Sequence, residues 1–258
     1  MSAREPLLRT VPITELRPTQ ITVGMREVEA KRRAWRAKAE ASDGWASDAK
    51  AGRDKAGGDK AGGDKVGGDK AGGDKAGRDK AGRHKAGRDK AGRDKAGAFL
   101  GTHMIPVILG PKRQNYVIDH HHLCRALFEE GQEGVLVNVV ANLQRLEPDA
   151  FWFNMDCRGW MHPFDEDGVR RGYGDVPKSI MELRDDPFRS LAGELRLAGG
   201  YAKDTTPFSE FLWADFLRRR LKAKAVVADF DTALAQALNM AKSGDADFLP
   251  GWCGAVAR

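Results

Sequence analysis

An α+β fold, with a small mixed sheet in the first half of the chain and helices after it, is predicted by three observations. The Val- and Ile-rich runs "MIPVILG", "NYVIDH" and "GVLVNVVANL" all fall before residue 147. Apolar residues beyond that point recur mostly at helical spacing. Between Ala51 and Lys95, nine pentads of the form A-G-x-D-K contain almost nothing that could build a core. The expected organisation of the 258 residues is a first domain over 1–147, interrupted at 46–97 by the low-complexity repeat, and a helical domain over 148–258. The repeat cannot bury enough apolar surface to offset its chain entropy, so it is expected to be disordered.

"TVPITEL" reads as a short edge strand and "EVEAKRRAWRAKAE" as a charged helix that runs toward the repeat. "MIPVILG" and "NYVIDH" are β-rich runs joined by "PKRQ", which looks like a hairpin. Leu123, Ala126, Leu127 and Glu130 follow an i, i+3, i+4, i+7 pattern, a helix beginning near His121 and closed by Gly131. "GVLVNVVANL" reads as another buried strand. Pro148 suits the first turn of a helix over "EPDAFWFNMDCRGW". Ser179 and Glu182 make an S-x-x-E capping box. Asp186 with Pro187 starts a helix that ends at Gly199-Gly200, and Thr206 with Pro207 starts another, "FSEFLWADFLRRRLKAK". Asp229 or Asp231 caps a last helix, stopped by Gly244.

Charge and cysteine usage narrow the function classes. The formal net charge is +6, but the pentads alone hold nine lysines, five arginines and eight aspartates. The rest of the chain carries equal numbers of acidic and basic residues, so its basic character does not belong to the folded parts. Three cysteines without a C-x-x-C pair argue against a disulfide framework and against structural zinc. The N-terminus has no apolar signal segment, and no apolar run approaches the ~20 residues of a membrane span. A cytoplasmic protein without a membrane partner is expected.

The chemistry concentrates in "YVIDHHHLCRALFEEG", residues 116 to 131. If His121 opens a helix after a strand ending at Asp119, the first turn presents free N–H groups and a partial positive charge, a ready phosphate site. His121 and His122 could add donors, and Arg125, one turn on, could hold a phosphate. Asp119 could bind a metal that bridges phosphates. A metal-centred site is a second reading. Three successive helical residues fan out over about 200°, so only two of the histidines, with Asp119 or His103, could share one ion. The histidines could also simply satisfy buried backbone. Glu27, which follows a glycine turn, is a candidate carboxylate base, and its plain alternative is an i, i+4 pair with Lys31. Arg170, Arg171 and Lys178 could touch phosphates or form a solvated loop. "LRRRLK" is most simply a cationic helix end.

"VPITELRPTQ", "HMIPVILG" and "YVIDHHHLCRAL", in that order, together with the long segment from "MDCRGWMHPFDEDG" to "FLRRRL", resemble the ParB/sulfiredoxin superfamily. The match is to its ParB-like nuclease branch and covers nearly all of the chain except the repeat. The resemblance implies a ParB/sulfiredoxin-like mixed-sheet domain with phosphates bound at the Asp119 turn. In ParB the turn carries G-E-R-R-x-R-A, and here His122 and Leu123 replace the paired arginines while Arg125-Ala126 match the close. In sulfiredoxin the catalytic cysteine stands where this chain has His121, so sulfinic-acid repair is not implied. The D-G-H-H-R turn of the free-serine kinase is similar at Asp119, His121 and His122, with His120 in place of the glycine and Glu27 placed as the base.

The resemblance therefore implies an enzyme acting on a phosphate ester. Glu27 and Asp119 would be catalytic, and His121, His122, Arg125 and His103 would bind phosphate or nucleotide. Asp119 would also hold Mg²⁺ or Mn²⁺. The expected partner is a nucleotide or a phosphorylated small molecule, with DNA possible. The alternatives are a nucleotide-dependent small-molecule kinase and a non-catalytic DNA-binding protein of the partition type. The near-zero charge outside the repeat favours a small substrate over long DNA.

Overall fold

The computed structural model describes residues 7–38 and 104–254. The expectation of disorder at 46–97 and the candidate His103 lie outside the described residues. Residues 7–33 and 104–254 belong to one compact unit with the predicted α+β class and a five-stranded mixed sheet.

Five strands form the main sheet: β1 (Leu7–Pro12), β2 (Leu16–Arg17), β4 (Ile105–Leu109), β5 (Asn115–Val117) and β6 (Gly134–Asn142). Their order is β1-β6-β4-β5-β2. β1 is an edge strand, antiparallel to β6 with Arg9 opposite Val137, as "TVPITEL" suggests. β4 runs parallel to β6, with a register shift between Val107 and Ile108, and antiparallel to β5. The β4–β5 connection is the expected hairpin, a 3₁₀ turn over Pro111–Arg113 with Lys112 and Arg113 at positive φ. β6 is not the fully buried strand its composition suggests. Val135 and Val137 are buried, but Val140 on the other face is half exposed. The strand has neighbours on both edges and a core on only one face, so its side chains alternate. A separate parallel pair joins β3 (Thr22–Val23) to β7 (Arg184–Asp185).

Among the described residues there are seven helices. Helix α1 spans 25–38. It is followed by α2 (His121–Glu129), α3 (Pro148–Cys157), α4 (Pro187–Leu197), α5 (Ser209–Arg218), α6 (Ala223–Ala228) and α7 (Phe230–Ala241). Two capping expectations hold: the side chains of Asp186 and Asp229 accept the N–H groups of Phe188 and Thr232. Two others need correction. The reciprocal capping box does not form: Ser179 Oγ caps through Met181 N–H, and Glu182 accepts Lys178 N–H in place of the Ser179 N–H, so the serine acts as a simple N-cap. It starts only a 3₁₀ turn (Ile180–Glu182), because the chain at once extends into β7. The segment "FSEFLWADFLRRRLKAK" is two helices, with Lys222 extended between them.

One core cluster centres on Phe188, Leu191, Leu195, Trp213 and Leu217 of α4 and α5, with Val226 and Ala237 from α6 and α7. Tyr201 stacks on Trp213 at 4.3 Å between ring centroids. A second cluster places Phe151 and Met155 of α3 against Ile21 and Ile108, next to the β4–β5 edge. Each fully buried side chain of this size stabilises by roughly 1.5–3 kcal/mol. Among the described residues, no helix is long and apolar enough to cross a membrane.

Candidate functional site

The Asp119 turn lies where β5 gives way to α2. His120 occupies the left-handed region (φ 67, ψ 25), and α2 starts at His121 without a side-chain cap. A non-glycine residue there carries a steric cost of roughly 1–2 kcal/mol. That is the conformational reason a glycine suits this position in related turns. Asp119 Oδ1 accepts the His120 N–H at 2.6 Å, and its side chain is 76% exposed. The His120 ring nitrogen Nδ1 lies 4.0 Å from the same oxygen, and among the described residues Oδ2 makes no hydrogen bond or ion pair.

The two following histidines point inward. His121 Nε2 accepts the backbone N–H of Thr19 at 3.2 Å, and His122 Nε2 accepts that of Gly24 at 3.0 Å. Both rings are buried. Burial pushes the His121 pKa down to about 3, against opposing pulls from Asp119 and the Val117 carbonyl. Burial, and then the Arg189 charge, hold His122 well below the usual histidine range. Both imidazoles are therefore neutral, and Nε2 is the unprotonated nitrogen that accepts. Glu27 Oε2 lies 3.5 Å from His122 Nε2, but a neutral ring with Nε2 unprotonated makes no ion pair with it. Gly24 is required by close approach: a Cβ there would sit 2.8 Å from Ser190 N.

Glu27 stands at the centre of a charge network. Its carboxylate lies 3.3 Å from Lys31 Nζ, the i, i+4 pair the sequence suggests, and 3.4 Å from Arg189 Nη2. Arg189 is only 5% exposed. Its Nη2 donates to Glu210 at 2.9 Å, while among the described residues Nε and Nη1 have no hydrogen-bond partner. Arg196 donates to the other oxygen of Glu210 at 3.2 Å.

A cavity of about 300 Å³ opens beside these groups. Asp119, His121 and His122 line one side. Ser209, Glu210 and Phe211 of the first turn of α5 line another, together with Arg189, Arg196 and Lys203. Lys203 makes no ion pair recorded among the described residues. Glu27 is not in the wall but touches His122 and Arg189, which are. The structure thus brings Asp119, His121, His122 and Glu27 to one place.

Arg125 is elsewhere. It pairs with Glu129 at 2.6 Å and donates to the carbonyls of Ile180, Met181 and Leu183, fastening the 3₁₀ turn to α2. Facing that turn, it does not line the cavity. The Arg170 and Arg171 loop is also committed to structure, Arg170 to Asp156 and Arg171 to the buried Asp165. In "LRRRLK", Arg218 reaches back to Asp186 at 2.5 Å and Arg219 pairs with Asp215 at 2.8 Å, fitting the helix-end reading.

Sequence reasoning missed Arg189, Arg196, Lys203 and Glu210. One signal was available in α4. Arg189, Gly193 and Arg196 share a face at i, i+4, i+7, and the glycine makes room for the guanidinium. A Cβ on Gly193 would lie 3.3 Å from Arg189 Nη1.

Among the described residues, no group of three or more His, Cys, Asp or Glu is placed to hold a metal ion. One open carboxylate, Asp119, suits Mg²⁺ or Mn²⁺ only in the manner of ions held largely by substrate phosphates and water.

The crystal structure of protein Atu1540 from Agrobacterium tumefaciens is similar at a TM-score of 0.72 and 44% identity, covering 98% of this chain and 100% of that one. No curated protein matches. The family described as "Putative ParB-like nuclease" matches residues 9–51 and 75–219. The chain belongs to this ParB-like nuclease family.

Proposed function

We propose that the cavity at the Asp119 turn binds a phosphate-bearing small molecule, a nucleotide or a phosphate ester, and that the protein acts on the phosphate ester bond. One observation carries this reading: the first turns of two helices, α2 and α5, line the same cavity with Arg189, Arg196 and Lys203. Neither helix start has a side-chain cap. In α5 the Ser209 and Phe211 N–H groups already donate to the Thr206 and Phe208 carbonyls, so the open N–H groups are those of the first turn of α2; with Lys203 beside them they favour an anion, against the carboxylates of Asp119, Asp204 and Glu210 in the same wall.

Asp119, with one open oxygen, would orient a hydroxyl or water, or share a divalent cation with the bound phosphate. That cation, Mg²⁺ or Mn²⁺, would supply charge neutralisation. Glu27 would be the base. It would have to exchange its contacts with Lys31 and Arg189 for a substrate hydroxyl, which Arg189 can tolerate because Glu210 also holds it. The backbone and Lys203, more than the histidine rings, would hold the phosphate. A small-molecule phosphotransferase fits the site better than a nuclease acting on long duplexes. The cavity is small, and the chain outside the repeat carries no excess of positive charge.

A thermal-shift titration with ATP and Mg²⁺, with pyrophosphate, and with a short DNA duplex tests the reading. Binding to the folded state raises the midpoint by mass action. The expected result is a concentration-dependent rise with ATP–Mg²⁺ or pyrophosphate that is lost in Lys203→Ala and Arg196→Ala. A rise with duplex alone, retained in both variants, refutes the small-ligand reading and favours the partition-type alternative.

A further inference from the structure

A second cavity, of about 340 Å³, lies against the first and shares Pro207, Phe208 and Phe211 with it. Its character is different. The His162 ring lies 4.0 Å from Phe211, 4.6 Å from Phe164 and 5.1 Å from Phe208, centroid to centroid. The charged groups of its wall are already paired: Asp186 with Arg218, Asp215 with Arg219, and Asp165 with Arg171. A ligand entering there meets no uncompensated charge.

One polar group is left over. Among the described residues the His162 imidazole has no recorded hydrogen bond, and it lines the cavity. Burial, with Arg218 and Arg189 nearby, lowers its pKa to about 3, so the ring is neutral and offers one donor and one acceptor. The backbone adds an independent sign. Phe208 sits at φ 59, a left-handed conformation that is an outlier for a bulky residue, in the wall between the two cavities. Such strain persists where surrounding structure enforces it, and it clusters at ligand sites.

We propose that this second cavity is a binding subsite for an uncharged, planar heteroaromatic ring, lying against the wall that Phe164, Phe208, Phe211 and Leu212 form, with His162 as its hydrogen-bonding residue. The volume lies within the range of small-molecule pockets and accommodates a bicyclic ring. The inference does not depend on the phosphate reading: the ring subsite stands even if no anion binds next door.

The test uses adenine as probe and indole as a ring with a donor but no acceptor, with binding to the full chain followed by calorimetry. Three proteins are compared: the unaltered chain, His162→Phe, and Leu212→Trp. Leu212 lines the cavity but is 44% exposed, so a larger ring there blocks the space without disturbing the core. Adenine is expected to bind the unaltered chain, to weaken by about 3- to 10-fold in His162→Phe through the lost hydrogen bond, and to be abolished in Leu212→Trp. Indole, which can donate to the imidazole but accept nothing from it, is expected to lose affinity in Leu212→Trp and to weaken less than adenine in His162→Phe. No adenine binding to the unaltered chain, or binding that survives Leu212→Trp, overturns the proposal. Should His162→Phe not fold, the Leu212→Trp comparison decides alone. Adenine binding without any pyrophosphate binding would sink the phosphate reading and leave this one standing.

Discussion

His121 and His122 are committed to the backbone, one of the roles the sequence leaves open to them beside phosphate and metal binding. A buried N–H must find an acceptor. The Thr19 and Gly24 amides find theirs on the first turn of α2. His122→Ala would leave the Gly24 N–H without a partner and open a void, at a cost of about 2–4 kcal/mol. Urea denaturation measures this directly. An unchanged midpoint with lost ATP–Mg²⁺ binding would instead make His122 a ligand group. The D-H-H-H turn itself was legible, because an acidic strand end followed by a helical apolar period is a local pattern. The role of its histidines was legible only as one of three readings, and their partners were not legible at all. Their partners lie 98 and 102 residues earlier, on the far side of the repeat, and no local spacing reports such a contact.

Most elements were legible for the same local reason: Asp186-Pro187 caps α4, Gly199 at φ 78 ends it, and Asp229 caps α7. The break between α5 and α6 was not, since nothing from 209 to 228 is glycine or proline. Its cause is tertiary. A straight helix rises ~1.5 Å per residue, which would carry Val226 about 12 Å past Arg218 and away from the core that now buries it. Extending at Lys222 returns Val226 to α4 and α7. Arg125 gives the clearest test at this scale, because it joins α2 to the 3₁₀ turn through three carbonyls. Arg125→Met is expected to cost about 1–3 kcal/mol and to raise amide exchange selectively over 180–185. β4 should stay protected and ATP–Mg²⁺ affinity unchanged. Loss of that affinity with normal exchange would place Arg125 in the binding site after all.

At the scale of the molecule, charge placement was readable at once, because the whole excess sits in the pentads. The burial of charge was not, because it depends on which helix faces pack together. The consequence is a dependence on pH. His121, His122 and His162 are all neutral in the folded chain, with pKa values lowered mainly by burial, two of them to about 3. In the unfolded chain each titrates near ~6.5. Below that pH the unfolded state binds protons that the folded state refuses, so stability is full above about pH 7 and falls as pH drops toward 3. Each histidine costs about 1.4 kcal/mol at pH 5.5, so the three together cost about 4 kcal/mol. That is a large share of the ~5–15 kcal/mol typical of a folded domain. Asp186 opposes this weakly. Burial raises its pKa against the pull of Arg218, so its term favours the folded state only as pH falls through the carboxylate range. Denaturant midpoints measured from pH 8 to 5 should therefore be flat above 7 and fall with a slope equivalent to about three protons taken up on unfolding. His162→Phe should reduce that slope to about two. A slope already near zero in the unaltered chain would mean that the histidines titrate normally and are not buried as the structure has them.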